Sequence, residues 1–235
     1  MSPGQAIRSV AEAEVAAIAV FGSILLAWAA LATVRIARAS RKLRTFGIAP
    51  AGGVLEDLAE SAGIARLTRI DDPSLAAFCS GIVCPTVYVT SGLVGALAAE
   101  ELLAVLVHEQ HHALRREPLR KLLREALVTV LFFLPIVAWW AERKALVSEL
   151  RADADALRRV GAPSVARAMW ALDAGTRYAD SVAFGNADGL RVAQVLGDPV
   201  SDPLPPLKLV LASGMGLVAL IAMIVCLRGV ATLLP

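Results

Sequence analysis

The sequence predicts an α+β membrane protein, mostly helical, with a small water-facing unit set between transmembrane helices. Three observations lead there. Hydrophobic residues make up 57% of the 235 residues and the mean hydropathy is +0.65, well above an ordinary soluble domain, yet 19% of residues are charged. Uncharged stretches of bilayer-crossing length stand near both ends. Between them, short β-branched runs are followed by long helical patterns. The net charge is +2 and no basic tract carries interleaved aromatics, so no nucleic-acid partner is expected.

The first element is Val15 to Val34, which contains no charged residue. At about 1.5 Å per residue it spans a hydrocarbon core of about 30 Å. A cleaved signal peptide fits poorly, because Arg8 is offset by Glu12 and Glu14 and a cluster of Arg35, Arg38, Arg41, Lys42 and Arg44 follows. Positive residues stay on the cytoplasmic side, so the N-terminus is expected outside and residue 35 onward inside. Residues 1–44 therefore form one segment, an anchor with a basic juxtamembrane stretch. Leu209 to Leu227, also uncharged, is the expected return span within residues 207–235. The chain is accordingly expected in the cell membrane as a multi-pass protein, with the lipid bilayer as a partner and residues 45–206 in the cytoplasm. Of the three cysteines, Cys79 and Cys84 would then stay reduced, and with Cys226 the odd count is no disulfide framework.

Within residues 45–206, the Gly- and Pro-rich start to residue 53 reads as a linker, and Val54 to Ala62 as a short helix ended by Gly63. Residues 65–70 and 85–90 read as strands, with 76–80 a weaker third, together a short antiparallel sheet. Leu102 to Leu114 is a helix, apolar nearly all round in its first half, with Glu100 and Glu101 at the positive end of its dipole. Ala126 to Ala141 is apolar but short for a crossing, and Pro135 lies in its middle, so it is expected to turn there as a helical hairpin. Ser148 to Val160 and residues 164–180 read as helices, and 181–206, rich in glycine and proline, as a loop.

All three histidines, His108, His111 and His112, lie in "HEQHH". On a helix, positions i and i+4 share a face, so His108 and His112 can offer two nitrogens to one zinc ion. Glu109 beside them is placed to act as the catalytic base, taking a proton from water as it attacks a carbonyl. His111 is read as a flanking, partly exposed residue. Zinc in a catalytic site takes three protein ligands, and with no histidine left the third must be a carboxylate. Glu149 is the choice, with Glu142, Asp155 and Glu125 as rivals. Asp153, four residues after Glu149, can accept a hydrogen bond from the free N–H of a ligating imidazole. A di-iron helical site would need a second Glu-x-x-His, which the chain does not contain.

HExxH with ExxxD in "ELRAD" (149–153), and the flanking run 77–123 with its proline-led strand and Glu-Glu-Leu helix start, resemble the BlaR/MecR-type membrane zinc metallopeptidases. These are gluzincins, and this chain would be a short form without their sensor domain, so β-lactam sensing is not implied. The resemblance implies a gluzincin-like catalytic unit holding one Zn²⁺ and hydrolysing peptide bonds of a protein or peptide substrate, with a role in regulatory signalling. It also implies a substrate-pairing edge strand above the zinc, fitted by position to Thr86, Val87, Tyr88, Val89 and Thr90. Tyr88, Arg177 and Tyr178 are the candidates to stabilise the oxyanion. The alternative is a non-catalytic membrane sensor or scaffold that keeps a structural zinc site.

Overall fold

A computed structural model describes residues 47–49, 52–176, 186–200 and 203–233, together with helical residues interspersed between 12 and 38. The chain divides into two compact units, one of Ala39–Leu122 and Arg143–Asp202, the other of Met1–Arg38, Leu123–Glu142 and Pro203–Pro235.

The first unit is α+β. Strands β1 (Ile48–Ala49), β2 (Leu67–Ile70), β3 (Ala77–Ser80) and β4 (Thr86–Thr90) form one sheet in the order β1-β2-β4-β3. Residues 48 and 49, expected in a linker, thus add a short outer strand. The sheet is mixed rather than antiparallel, because β2 and β4 run parallel while β3 pairs antiparallel with β4. The cause lies in the chain path: β3 precedes β4 but takes the outer position, so the chain reverses twice and returns between β2 and β3. β4 is therefore central, and β3, the weakest strand in sequence, is an edge.

Alternation along β4 puts Val87 and Val89, both at 0% exposure, on the face that packs against the helices. Thr90 is buried too, for another reason. Its hydroxyl accepts the Leu93 N–H at 3.3 Å, capping helix α2 (Ser91–Ala96), and donates to the Ser74 carbonyl at 2.6 Å. Helix α1 (Gly53–Ala62) buries Leu55 and Ala59, one turn apart, and ends where Gly63 takes a left-handed φ of 73°.

Helix α3 (Ala99–Leu114) carries the histidine motif. Ala98 has no side-chain oxygen to cap it, but Glu101 reaches back to accept the Ala98 N–H at 3.1 Å. Leu102, Val105 and Leu106 then make a buried stripe, and Leu106 at 0% exposure contributes about 1.5–3 kcal/mol by burial. Arg116, with φ 50°, makes the left-handed link from α3 to α4 (Glu117–Val130). Helix α5 runs from Pro135 to Val160, and Gly161 with φ 81° separates it from α6 (Ala162–Thr176). Ser164 and Arg167 of α6 bond Glu100 and Glu101 at the start of α3. Residues 186–196, expected within a loop, form helix α7 (Asn186–Leu196). Glycine content argued against it, but its apolar residues and two tertiary hydrogen bonds, from Arg191 to Asp153 and from Gln194 to the Leu150 carbonyl, override that weak preference.

In the second unit, α4 ends at Val130, residues 131–134 turn, and α5 starts at Pro135, where a missing N–H costs nothing. Helix α8 (Leu207–Leu233) follows. Its Leu207–Cys226 portion is, among the described residues, the one helix long and apolar enough to cross a membrane, and Gly22–Val34 is a shorter apolar helix. Part of Val15 to Val34 lies outside the described residues.

Candidate metal centre

Two helices build the centre. On α3, His108 and His112 stand one turn apart and their Nε2 atoms are 3.0 Å from each other. On α5, Glu149 brings one carboxylate oxygen to 3.4 Å from His108 Nε2 and the other to 3.5 Å from His112 Nε2. A tetrahedral ion with bonds of about 2.0–2.1 Å has edges of about 3.3–3.4 Å. The three donors therefore already have the spacing of three corners of such a site, and they are the one His/Cys/Asp/Glu group of that kind among the described residues. The donor set, two neutral-capable imidazoles and a carboxylate, suits zinc.

Asp153 lies one turn beyond Glu149, 1% exposed, and its Oδ1 is 2.9 Å from His108 Nδ1. That bond turns the ring so that Nε2 faces the other two donors. Arg191 of α7 in turn grips Asp153 with a two-pronged hydrogen bond, 2.7 Å from Nε and 2.9 Å from Nη2, and its Nη1 is 3.7 Å from Glu149. Nothing in the local sequence singles Arg191 out: it lies in the stretch read as a loop, and its partner is reached only through the fold. The rival ligand Asp155 is turned elsewhere, 2.5 Å from His111 Nδ1 and paired with Arg158. His111 is therefore not a partly exposed flanking residue. It is 7% exposed and clasps α3 to α5. Gln110, inside the motif, ties α3 to the end of α1 by donating to the Gly63 carbonyl at 2.5 Å.

Electrostatics follow from this packing. Burial disfavours charge on His108, but hydrogen bonds to Asp153 and Glu149 outweigh it and hold the pKa up at about 9. His112 is pushed down to about 4, by burial and then by the charge on His108. The two Nε2 atoms face each other within hydrogen-bond distance, and a cation between them would take the place of a proton there. His112 Nδ1 is buried without a hydrogen-bond partner. Burial also works against the Asp153 carboxylate, yet Arg191 and His108 bring it down to about 2. Glu149 is likewise lowered, its burial outweighed by His108. Glu109 goes the other way: burial raises its pKa, against the pull of His108. On β3, burial, then the charge of Glu109, pushes the Cys79 thiol up to about 12.

A cavity of about 230 Å³ opens beside these groups. His108, Glu109, Glu149, Asp153 and Arg191 form its polar wall, and Val165, Ala168, Met169 and Leu172 of α6 line it with apolar surface.

The family model described as Peptidase family M48 matches residues 52–184, more than half of the chain. The chain belongs to peptidase family M48. No curated protein matches it. M48 peptidases are zinc-dependent metallopeptidases, and the His108/His112/Glu149 group is where this member can hold a metal ion. Arg191 lies beyond the matched residues.

The strand expectation needs correction in this M48 chain. Thr86, Val87, Tyr88, Val89 and Thr90 cannot offer an open edge, because β4 is hydrogen-bonded to β2 on one side and β3 on the other. Among the described residues β3 is hydrogen-bonded to β4 alone, so its outer side, like that of β1, carries no strand. Thr90 N–H bonds the Ala76 carbonyl, so by antiparallel alternation the N–H groups of Ala77 and Cys79 point away from β4. Tyr88 stacks on Phe78, ring centroids 5.3 Å apart, on the face opposite Val87 and Val89. It thus points away from α3 and is no oxyanion stabiliser. Arg177 and Tyr178 lie outside the described residues.

Proposed function

We propose that this M48 member is a membrane-bound zinc endopeptidase that hydrolyses peptide bonds of a protein substrate at the cytoplasmic face. The observation that carries the reading is the convergence of His108, His112 and Glu149 at tetrahedral spacing with a buried carboxylate, Glu109, beside them. Bound zinc would supply Lewis acidity, polarising the scissile carbonyl and easing loss of a proton from water. His108, His112 and Glu149 would hold it. Asp153 fixes the His108 ring, and Arg191 fixes Asp153 and balances its charge. Glu109, its pKa raised by burial, would take the proton of the attacking water and return it to the leaving amine.

An extended substrate would add to the open edge of β3, where backbone groups bind a peptide without reading its side chains. The apolar wall of Val165, Ala168, Met169 and Leu172 would then receive one apolar side chain of limited size. The membrane part of the reading is supported by Leu207–Cys226, and the cytoplasmic orientation by the basic residues from Arg35 to Arg44. The likeness of residues 77–123 to the BlaR/MecR-type peptidases supports a role in regulatory signalling.

Glu109→Gln separates this reading from that of a zinc scaffold. Zinc content, measured by atomic absorption, should stay at one per chain, while cleavage of an unstructured protein substrate should fall about 10²–10⁴-fold. Cleavage at the wild-type rate with zinc retained would remove Glu109 from the mechanism. If wild type and variant are equally inert on every substrate yet equally active in the cell, the scaffold reading stands instead.

A further inference from the structure

The segment 126–141 carries no charge and its two limbs meet at residues 131–134. Several features of this turn suit a place without water. The start of α5 exposes backbone donors that have no partner within the helix. Pro135 has none to expose. The Ile136 N–H is accepted by the Ser213 hydroxyl of α8 at 3.0 Å, and the Val137 N–H by the Leu134 carbonyl at 2.9 Å. One turn along α8 from Ser213, a side chain at Gly216 would overlap the Phe133 carbonyl, so only glycine lets the two backbones come this close. A turn in water has no need of a donor's partner supplied by a distant helix; one in hydrocarbon must have it.

Depth gives an independent check. From Glu125 to Phe132 the first limb rises about 10 Å, and from Glu142 back to Ile136 the second rises about 9 Å. Along α8, Ser213 and Gly216 lie about 8 and 12 Å beyond Lys208. For limbs that run alongside α8, the charged residues at the foot of all three would share one level, and the contact would lie at one depth below it, short of the roughly 15 Å midplane. Around it the surface is apolar: Phe132 is 72% exposed, Met215 74% and Val218 65%.

We propose that residues 126–141 form a re-entrant hairpin that enters one leaflet to about 10 Å and returns, seated on α8 through Ser213 and Gly216, with lipid acyl chains covering Phe132. The proposal rests on the reading of α8 as a membrane helix. It places both feet of the hairpin on the side of the bilayer where Lys208 lies.

The test uses the full chain in phosphatidylcholine vesicles, with the photoreactive p-benzoylphenylalanine replacing Phe132 in one preparation and Met215 in another. After irradiation, mass spectrometry should find acyl-chain adducts at both positions. Adding Gly216→Leu should lower the lipid adduct at position 132 severalfold and leave that at 215 unchanged. Lipid adducts at 215 with none at 132, or with cross-links from 132 to a second copy of the chain, would overturn the hairpin while leaving the membrane helix in place. No lipid adduct at either position would remove the membrane reading and the hairpin with it. An unchanged yield at 132 in the Gly216→Leu chain would overturn the seat on α8.

Discussion

Among the described residues Asp153 is the least exposed charged group, and its two partners face it from different elements, His108 on α3 and Arg191 on α7. Taking Arg191 away leaves that carboxylate desolvated with one partner, the costly way to break a buried pair. Arg191→Met should therefore lower unfolding free energy by about 3–5 kcal/mol, read by urea denaturation. It should also weaken zinc binding about 10–100-fold, read by competition with a chromogenic chelator, because the His108 ring loses its fixed support. Arg191→Lys should recover part of the stability but less of the affinity, since an ammonium supplies charge without the planar fork. Equal affinity in all three proteins would show that Arg191 does not act through the centre. At this scale the sequence was most informative where geometry is local: His108, Glu109 and His112 lie in one turn and their relation follows from helical pitch alone. His111 was misjudged because its burial depends on Asp155, a contact across two elements.

Helix α3 begins without a capping side chain at Ala98 and relies on Glu101, which accepts the Ala98 N–H and pairs with Arg167. These bonds, that to Ala98 foremost, hold the Glu101 carboxyl below its usual value of 4.5. A carboxyl lowered on folding contributes stability above its unfolded pKa and loses it as pH falls through the folded one. Wild type should thus exceed Glu101→Gln in stability at neutral pH, and the gap should close between about pH 5 and pH 3. Urea midpoints taken across that range check it; a constant gap would show that the carboxylate charge is not what matters. Helix and strand legibility follows the same division. Gly63 and Gly161 mark helix ends because their left-handed backbone is a local requirement. Helix α7 was not legible, since Gly189 within it and Gly185 and Gly197 on either side read as breakers and its stability comes from Asp153 and Leu150. The partner of a strand is equally non-local, so β4 could be recognised but not its place at the centre of the sheet.

For the molecule as a whole, the centre joins α3 to α5, helices separated in sequence by the hairpin, so a bound cation is also a cross-link of the fold. Ligation only in the folded state stabilises by mass action, about 2.7 kcal/mol at a hundred times Kd. Zinc should raise the thermal midpoint of the detergent-solubilised wild type, excess chelator should reverse the rise, and Glu149→Gln should respond to neither. A full zinc-dependent rise in Glu149→Gln would place the third ligand elsewhere. The sequence by itself determined the elements whose chemistry repeats within one or two helical turns: the HExxH pair with its carboxylate, the Glu149/Asp153 face, the uncharged length of Leu209 to Leu227, and the turn at Pro135. Only the tertiary structure decided that Glu149 rather than Asp155 meets the imidazoles, that β3 rather than β4 lies at an edge of the sheet, that Arg191 grips Asp153, and that Ser213 receives the backbone of the hairpin. Local spacing is imposed by the geometry of each turn, whereas these contacts join residues far apart in the chain and come from how whole elements bury their apolar faces against one another.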